Sequence, residues 1–256
     1  MYQPDIPFPL LEIVSPPTED DLPCDDGMPM ETFRHKMQMD LLMDALHNKL
    51  VREQQRGFVG GNMFIYFSQL QVRNQDFRGP DVFAVVDVPY RDRKSWVVWQ
   101  EGKAPDVVIE LLSDSTAQRD KTEKKLIYQN QMRVPEYFWY DPFNPDDFAG
   151  FGLHLGVYEP LPFDDRGRLI SRSLDLALVR WQGAYKGIEA PWLRWETLEG
   201  DLVLIDRELV AQEQQRSFQE HQRADQEQQR ADQEQQRADR LAAELRKLGI
   251  DPDRVG

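Results

Sequence analysis

Apolar and polar positions along the chain switch between helical and strand-like periods. Met37, Met39, Leu41, Leu42, Ala45, Leu46 and Leu50 form a stripe that predicts a helix over 32–54, with Thr32 as its N-cap. Short apolar runs bounded by glycine and proline predict strands at 63–67, in "GPDVFAVVDVP" (79–89) and at 106–112. An apolar patch at 96–99 lies between the last two. Turn and cap chemistry at 113–116 opens a polar-faced helix over 117–131. "EYFWYDP" (136–142) predicts a compact aromatic strand stopped by Pro142. Hairpin-like strands and irregular Trp- and Gly-rich segments follow, and "DLVLID" predicts a final short strand.

The order over 32–141 is helix, strand, strand, strand, helix, strand. Short links between successive strands favour antiparallel hairpins, and a strand–helix–strand unit favours a parallel crossover. The fold class is therefore α/β, a mixed sheet in αβββαβ order flanked by helices, with added hairpins. Residues 1–30, rich in proline and acid, read as an extended lead-in, and 31–210 as the globular domain. Residues 211–256 form a heptad-repeat arm. "ADQEQQR" occurs at 224–230 and 231–237, and a third copy begins at Ala238. Ala224, Ala231, Ala238 and Leu245 share one heptad column; Glu227, Glu234, Leu241 and Leu248 share another. Apolar residues fill both columns only at the end of the arm, so two readings stand: a solvated single helix, or a weak coil that pairs the chain into a homodimer. Gly249, Ile250 and Pro252 fit a helix stop.

The charge narrows the partners. The chain of 256 residues is 40% apolar and 30% charged, with a net charge of −14. The arm holds ten acids against eight bases, so nearly all of that excess lies outside it. Such a protein binds nucleic acid weakly unless a local basic patch or a metal ion intervenes. No apolar run has the length of a membrane span, and the N-terminus lacks the basic start of a secretory signal. Together with a single cysteine, Cys24, this points to the reducing cytoplasm.

Two strands carry an acid where the pattern asks for an apolar residue. Glu110 sits inside "VVIELL", a run that reads as buried on both faces. An ionised carboxylate there costs several kcal/mol unless it is paired. Asp81 follows Pro80 at the start of "PDVFAVV". If the strands adjoin, the two acids can share a divalent cation. Mg²⁺, with Mn²⁺ as a substitute, suits one or two carboxylates, waters and phosphate oxygens. The alternative is that Glu110 pairs with a buried Arg or Lys and does nothing more. Asp106 also follows a proline, but an acid opening a strand is ordinary turn chemistry.

An acid after proline on one strand, followed by an acid in the next, resembles the PD-(D/E)XK arrangement of the restriction-endonuclease-like superfamily. The ordered series "GPDVFAVVDVP", "APDVVIELLSDST", "DKTEKKLIYQ" and "VPEYFWYDP" resembles the Uma-type family of that superfamily over about residues 28–205. The arm's end, "LAAELRKLGIDP", also resembles tails of that family. The superfamily's lysine lies two places after the acid, on the same strand face. That position is Leu112 here. The resemblance implies that the lysine has moved to the helix, as Lys124 of "KKxxY", four places before Tyr128 on one face. Lys121 could share that face, whereas Lys125 is turned about 100° away, towards solvent.

The resemblance implies a Mg²⁺-dependent endonuclease hydrolysing DNA phosphodiesters, with Asp81 and Glu110 as metal ligands and Asp81, Glu110 and Lys124 as the catalytic set. Two rivals remain. One is a catalytically weak or inactive nuclease-fold module that assembles through its arm, and the other is a nuclease acting on RNA or on damaged or branched DNA. Glu31 and His35, at the start of the first helix, read as an extra acid of the site or as helix-start chemistry. His154, Trp139, Trp181, Trp192 and Trp195 read as core or sheet-face residues. No Cys/His cluster for zinc, phosphate-cradling glycine loop or serine elbow occurs.

Overall fold

The computed structural model describes residues 16–22, 32–68 and 79–247. The chain divides into two compact units, Met1–Ile205 and Asp206–Gly256. Helix α1, Phe33–Leu46, opens the first and runs on as a π-helical stretch, His47–Glu53. Thr32 caps it: its hydroxyl accepts from the His35 N–H at 3.1 Å. α1 is buried around most of its circumference because it lies between two sheets. Its Met37, Leu41, Leu42 and Leu46 share one core with Val82, Ile109 and Leu111 of the main sheet and with Leu178, Trp192 and Leu193 of a second. Gln38, buried in that layer, donates to the Leu193 carbonyl and accepts from the Leu193 N–H, both at 2.9 Å. The side-chain amide thus replaces a missing strand neighbour.

The strands are β1 Phe58–Gly60, β2 Ile65–Tyr66, β3 Val82–Val85, β4 Trp96–Val97, β5 Val107–Leu111, β6 Glu136–Tyr140, β7 Phe148–His154, β8 Val157–Pro160, β9 Leu169–Ser171, β10 Leu176–Tyr185 and β11 Ile188–Thr197. A short helix α2, Val98–Glu101, follows β4, and α3 spans 117–132 between β5 and β6. The main sheet runs β1-β3-β5-β6-β7-β8 and the second β11-β10-β9. β5 and β6 are parallel, and every other pairing in the two sheets is antiparallel. The αβββαβ order of the mixed sheet is therefore present.

Its first strand differs from the sequence expectation. β1, at 58–60, takes that place, while the 63–67 run supplies β2, which pairs in parallel with β4 outside both sheets. The apolar content of β1 before its glycine is two residues, Phe58 and Val59, too brief to display a period. The "DLVLID" segment is also not a strand. Leu202 makes one bridge to Glu196, and the Val203 N–H donates to the Trp195 carbonyl at 2.9 Å.

Helix α4, Asp206–Lys247, begins ahead of the predicted arm boundary, and none of its residues is buried. No helix among the described residues is long and apolar enough to cross a membrane. The described part of the lead-in, 16–22, is anchored. Trp99 Nε1 donates to the Pro17 carbonyl at 2.9 Å, and Leu22 is buried beside Phe64, Tyr66 and Val97. Residues 1–15 and 23–30 of the lead-in, Cys24 among them, together with Glu31 and the predicted stop at Gly249, lie outside the described residues.

Candidate active site

β5 places Glu110. All five of its residues are buried, as the third strand of six requires. Val107, Ile109 and Leu111 face the α1 core, while Val108 joins Ile127, Tyr128 and Met132 of α3. Alternation along the strand turns Glu110 to the α3 side. The register that pairs Val82 with Ile109 brings Asp81 beside Glu110. Asp81 Oδ2 accepts from the Leu111 N–H at 2.7 Å, which ties the carboxylate across the strand pair. On the other side of β3, Gly61 lets the chain after β1 pack close to Asp81, because a Cβ there would lie 2.6 Å from the Asp81 carbonyl oxygen. From the first turn of α1, His35 Nε2 comes to 3.6 Å from Asp81 Oδ2.

α3 supplies the cation. Lys124 Nζ stands 3.1 Å from Glu110 Oε2 and 2.7 Å from Asp120 Oδ1. The Tyr128 hydroxyl donates to Glu110 Oε1 at 2.6 Å. Asp120, Lys124 and Tyr128 are spaced by four. In an α-helix each such step overshoots a turn by about 40°. Asp120–Lys124 and Tyr128–Met132 are π-helical, with more residues per turn, which offsets that drift and keeps the three on one line. The Tyr137 hydroxyl donates to the Asp120 carbonyl at 2.9 Å and fixes the helix to β6.

The cluster carries more negative than positive charge. Burial pushes the Glu110 carboxyl up, Lys124 pulls it back, and Asp81 and Asp120 push it up again, leaving it at about 8 against an ordinary 4.5. Burial pulls the Lys124 ammonium down, but Glu110, Asp120 and Asp81 outweigh it and hold it above the usual lysine range. Burial, aided by Glu110, raises the Tyr128 phenol well above its normal value, so it stays a donor. Glu110 is 1% exposed, Lys124 17% and Asp81 23%, so the site opens on the Asp81 side. Nearby, Ser113 and Asp141, past the ends of the parallel β5 and β6, line a cleft of about 440 Å³ with Thr32, Asp114, Ser115 and Phe143. Clefts beyond the carboxyl ends of parallel strands are common ligand positions.

The structure thus brings Asp81, Glu110 and Lys124 together, and His35 stands beside them. Lys121 does not join them; it pairs with Asp147 and lies over the Trp139 ring. Lys125 does not simply face solvent, since its ammonium sits 3.3 Å from the Phe151 ring centroid. Asp106 serves the backbone, accepting from the Val86 N–H at 2.8 Å. His154 is an exposed hairpin residue paired with Glu159 rather than a core group, whereas Trp192 and Trp195 are core. Sequence reasoning missed Asp120. An acid four places before a lysine reads as an ordinary surface helix pair, and only its 1% exposure marks it as something else.

The donors fit a hard divalent ion. Three acids act on one ammonium, so the cluster holds surplus negative charge. Among the described residues no group of three or more His, Cys, Asp or Glu is arranged to ligate one ion. Two carboxylates, Asp81 and Glu110, remain as protein donors, which suits Mg²⁺ or Mn²⁺ with its waters.

A mixed sheet in αβββαβ order is the architecture of the restriction-endonuclease-like class. The profile of the Uma2 family, described as "Putative restriction endonuclease", matches residues 26–183, more than half of the chain, and the chain belongs to this family. A crystal structure from Anabaena variabilis ATCC 29413, titled a "putative nuclease belonging to DUF820", aligns at 18% identity and a TM-score of 0.42. The alignment covers 62% of this chain and 91% of that one. No curated protein matches significantly.

Proposed function

We propose that this chain is a metal-dependent endonuclease that hydrolyses DNA phosphodiester bonds, with Mg²⁺, or Mn²⁺ in its place, held by Asp81 and Glu110. The observation that carries the reading is the cluster of Asp81, Glu110 and Lys124 around the buried Glu110 carboxylate, in which acids outnumber the ammonium. When bound, the ion would polarise the phosphodiester and lower the pKa of a water. The remaining chemistry belongs to the chain. Asp81, fixed by the Leu111 N–H, presents its carboxyl group at the accessible side. Glu110, oriented by the Tyr128 hydroxyl, would supply the second carboxylate to the ion. The Lys124 ammonium balances the charge that builds on the phosphate in the transition state and orients the attacking water. The DNA strand would approach through the cleft beside Ser113 and Phe143. The net charge of −14 makes this binding weak and dependent on the divalent ion.

A second reading has one observation in its favour. Both oxygens of Glu110 already have partners in Lys124 and Tyr128, as in an inert module that acts through its arm. Purified full-length protein incubated with supercoiled plasmid separates the two. The nuclease nicks it with Mg²⁺ or Mn²⁺, and Glu110→Gln stops the nicking. No cleavage of DNA or RNA by well-folded protein selects the module.

A further inference from the structure

We infer that Asp120 is a positioning residue for Lys124, an anchor that keeps the ammonium at the site when a cation takes over the Glu110 carboxylate. The inference rests on the nuclease reading for its purpose but not for its geometry. Lys124 Nζ is nearer to Asp120 Oδ1, at 2.7 Å, than to Glu110 Oε2, at 3.1 Å. Asp120 is 1% exposed, and its Oδ2 has no hydrogen-bond partner among the described residues. A carboxylate buried only for stability would have its lone pairs filled, as those of Glu136 are by Ser171, Arg172 and Ser173. Asp120 instead keeps a costly half-satisfied position whose ionic partner is Lys124. The neighbouring lysines of the helix are committed elsewhere, Lys121 to Asp147 and Lys125 to Phe151.

The consequence follows from charge. In the free protein Glu110 and Asp120 share one ammonium. A divalent ion on Asp81 and Glu110 repels that ammonium and cancels the pull of Glu110. A lysine on a four-carbon stem would then swing towards solvent. Asp120, set back on the helix and out of the strand pair, is the anion left to hold it. The Tyr137 bond to the Asp120 backbone carbonyl, 2.9 Å long, keeps that anchor fixed on the sheet.

Side-chain order parameters of full-length protein labelled with ¹³Cε-lysine test this without an activity assay. Glu110→Gln stands in for the cation-neutralised carboxylate. Lys124 stays ordered in Glu110→Gln, falls to the flexible range, below about 0.6, in Glu110→Gln/Asp120→Asn, and regains order with Asp120→Glu in the same background. Wild type and Asp120→Asn are then compared with saturating Mg²⁺, where Asp120→Asn alone loosens Lys124. In plasmid nicking, Asp120→Asn lowers kcat at least tenfold and leaves KM for DNA unchanged. Lys124 remaining ordered in the folded double variant overturns the inference. Mg²⁺ that leaves the spectrum untouched overturns the metal reading instead, and the Glu110→Gln series still decides the role of Asp120.

Discussion

Glu110 and Glu136 are buried acids in adjacent parallel strands of one sheet, β5 and β6, and burial raises both carboxyl groups above the ordinary value. Their surroundings differ. Glu136 accepts from the Ser171 hydroxyl and from the Arg172 and Ser173 N–H groups, the last two at 2.7 and 3.2 Å. These neutral donors come from β9 and the turn after it, so Glu136 joins the two sheets. Glu110 meets a tyrosine, a lysine and two further acids. A buried acid satisfied by neutral donors is a structural joint; one held in a cluster with surplus negative charge suits the proposed cation. The difference lies in charge balance and not in burial.

The largest contrast should come from removing the charge at each position. Glu110→Gln reduces plasmid nicking to background, while Glu136→Gln leaves the rate per folded molecule unchanged; loss of activity in both would erase the distinction. Lys124→Met comes next. It lowers kcat by about 100-fold and lowers stability by roughly 3 kcal/mol, because acids are left buried without their ammonium. Kinetics and urea unfolding read the two effects separately.

pH sharpens the comparison further. The Glu110 carboxyl titrates at about 8 in the folded protein and near 4.5 unfolded. Between those values the native state binds more protons, so stability falls as pH rises and is lowest above 8. Lys124, raised above its usual range, holds its contribution throughout that window. Thermal unfolding of metal-free protein from pH 5 to 9 shows this decline, and Glu110→Gln flattens it more than Glu136→Gln does. A smaller effect is expected from Glu136→Gln itself, a loss of about 1 kcal/mol for weakened hydrogen bonds. Smallest of all, truncation before Asp206 leaves the melting temperature of the remaining unit nearly unchanged, since no residue of α4 is buried.

The sequence revealed Glu110 and Asp81 because each breaks an apolar pattern, and strand alternation fixes which face a residue takes. Lys124 was legible only through its spacing to Tyr128 and the family resemblance, since on a polar helix it looks like any solvated lysine. Asp120 was hidden for the same reason. Whether an i,i+4 pair points outward or into a sheet depends on tertiary packing and on π-helical turns that no local signal announces. β1 escaped notice because a three-residue strand has no period, while the longer 63–67 run did, although it pairs elsewhere. Lys125 defied its helical angle because Phe151, far along the chain, offered an aromatic face.

In the proposed nuclease, Asp81 and Glu110 share one divalent ion, with Lys124 retained beside it. Anomalous diffraction from crystals of the full-length protein soaked in Mn²⁺ tests it most directly. A single peak is expected between the two carboxylates, with the lysine ammonium shifted from Glu110 towards Asp120. A peak elsewhere, or none while Lys124 still bridges Glu110 and Asp120, would contradict it.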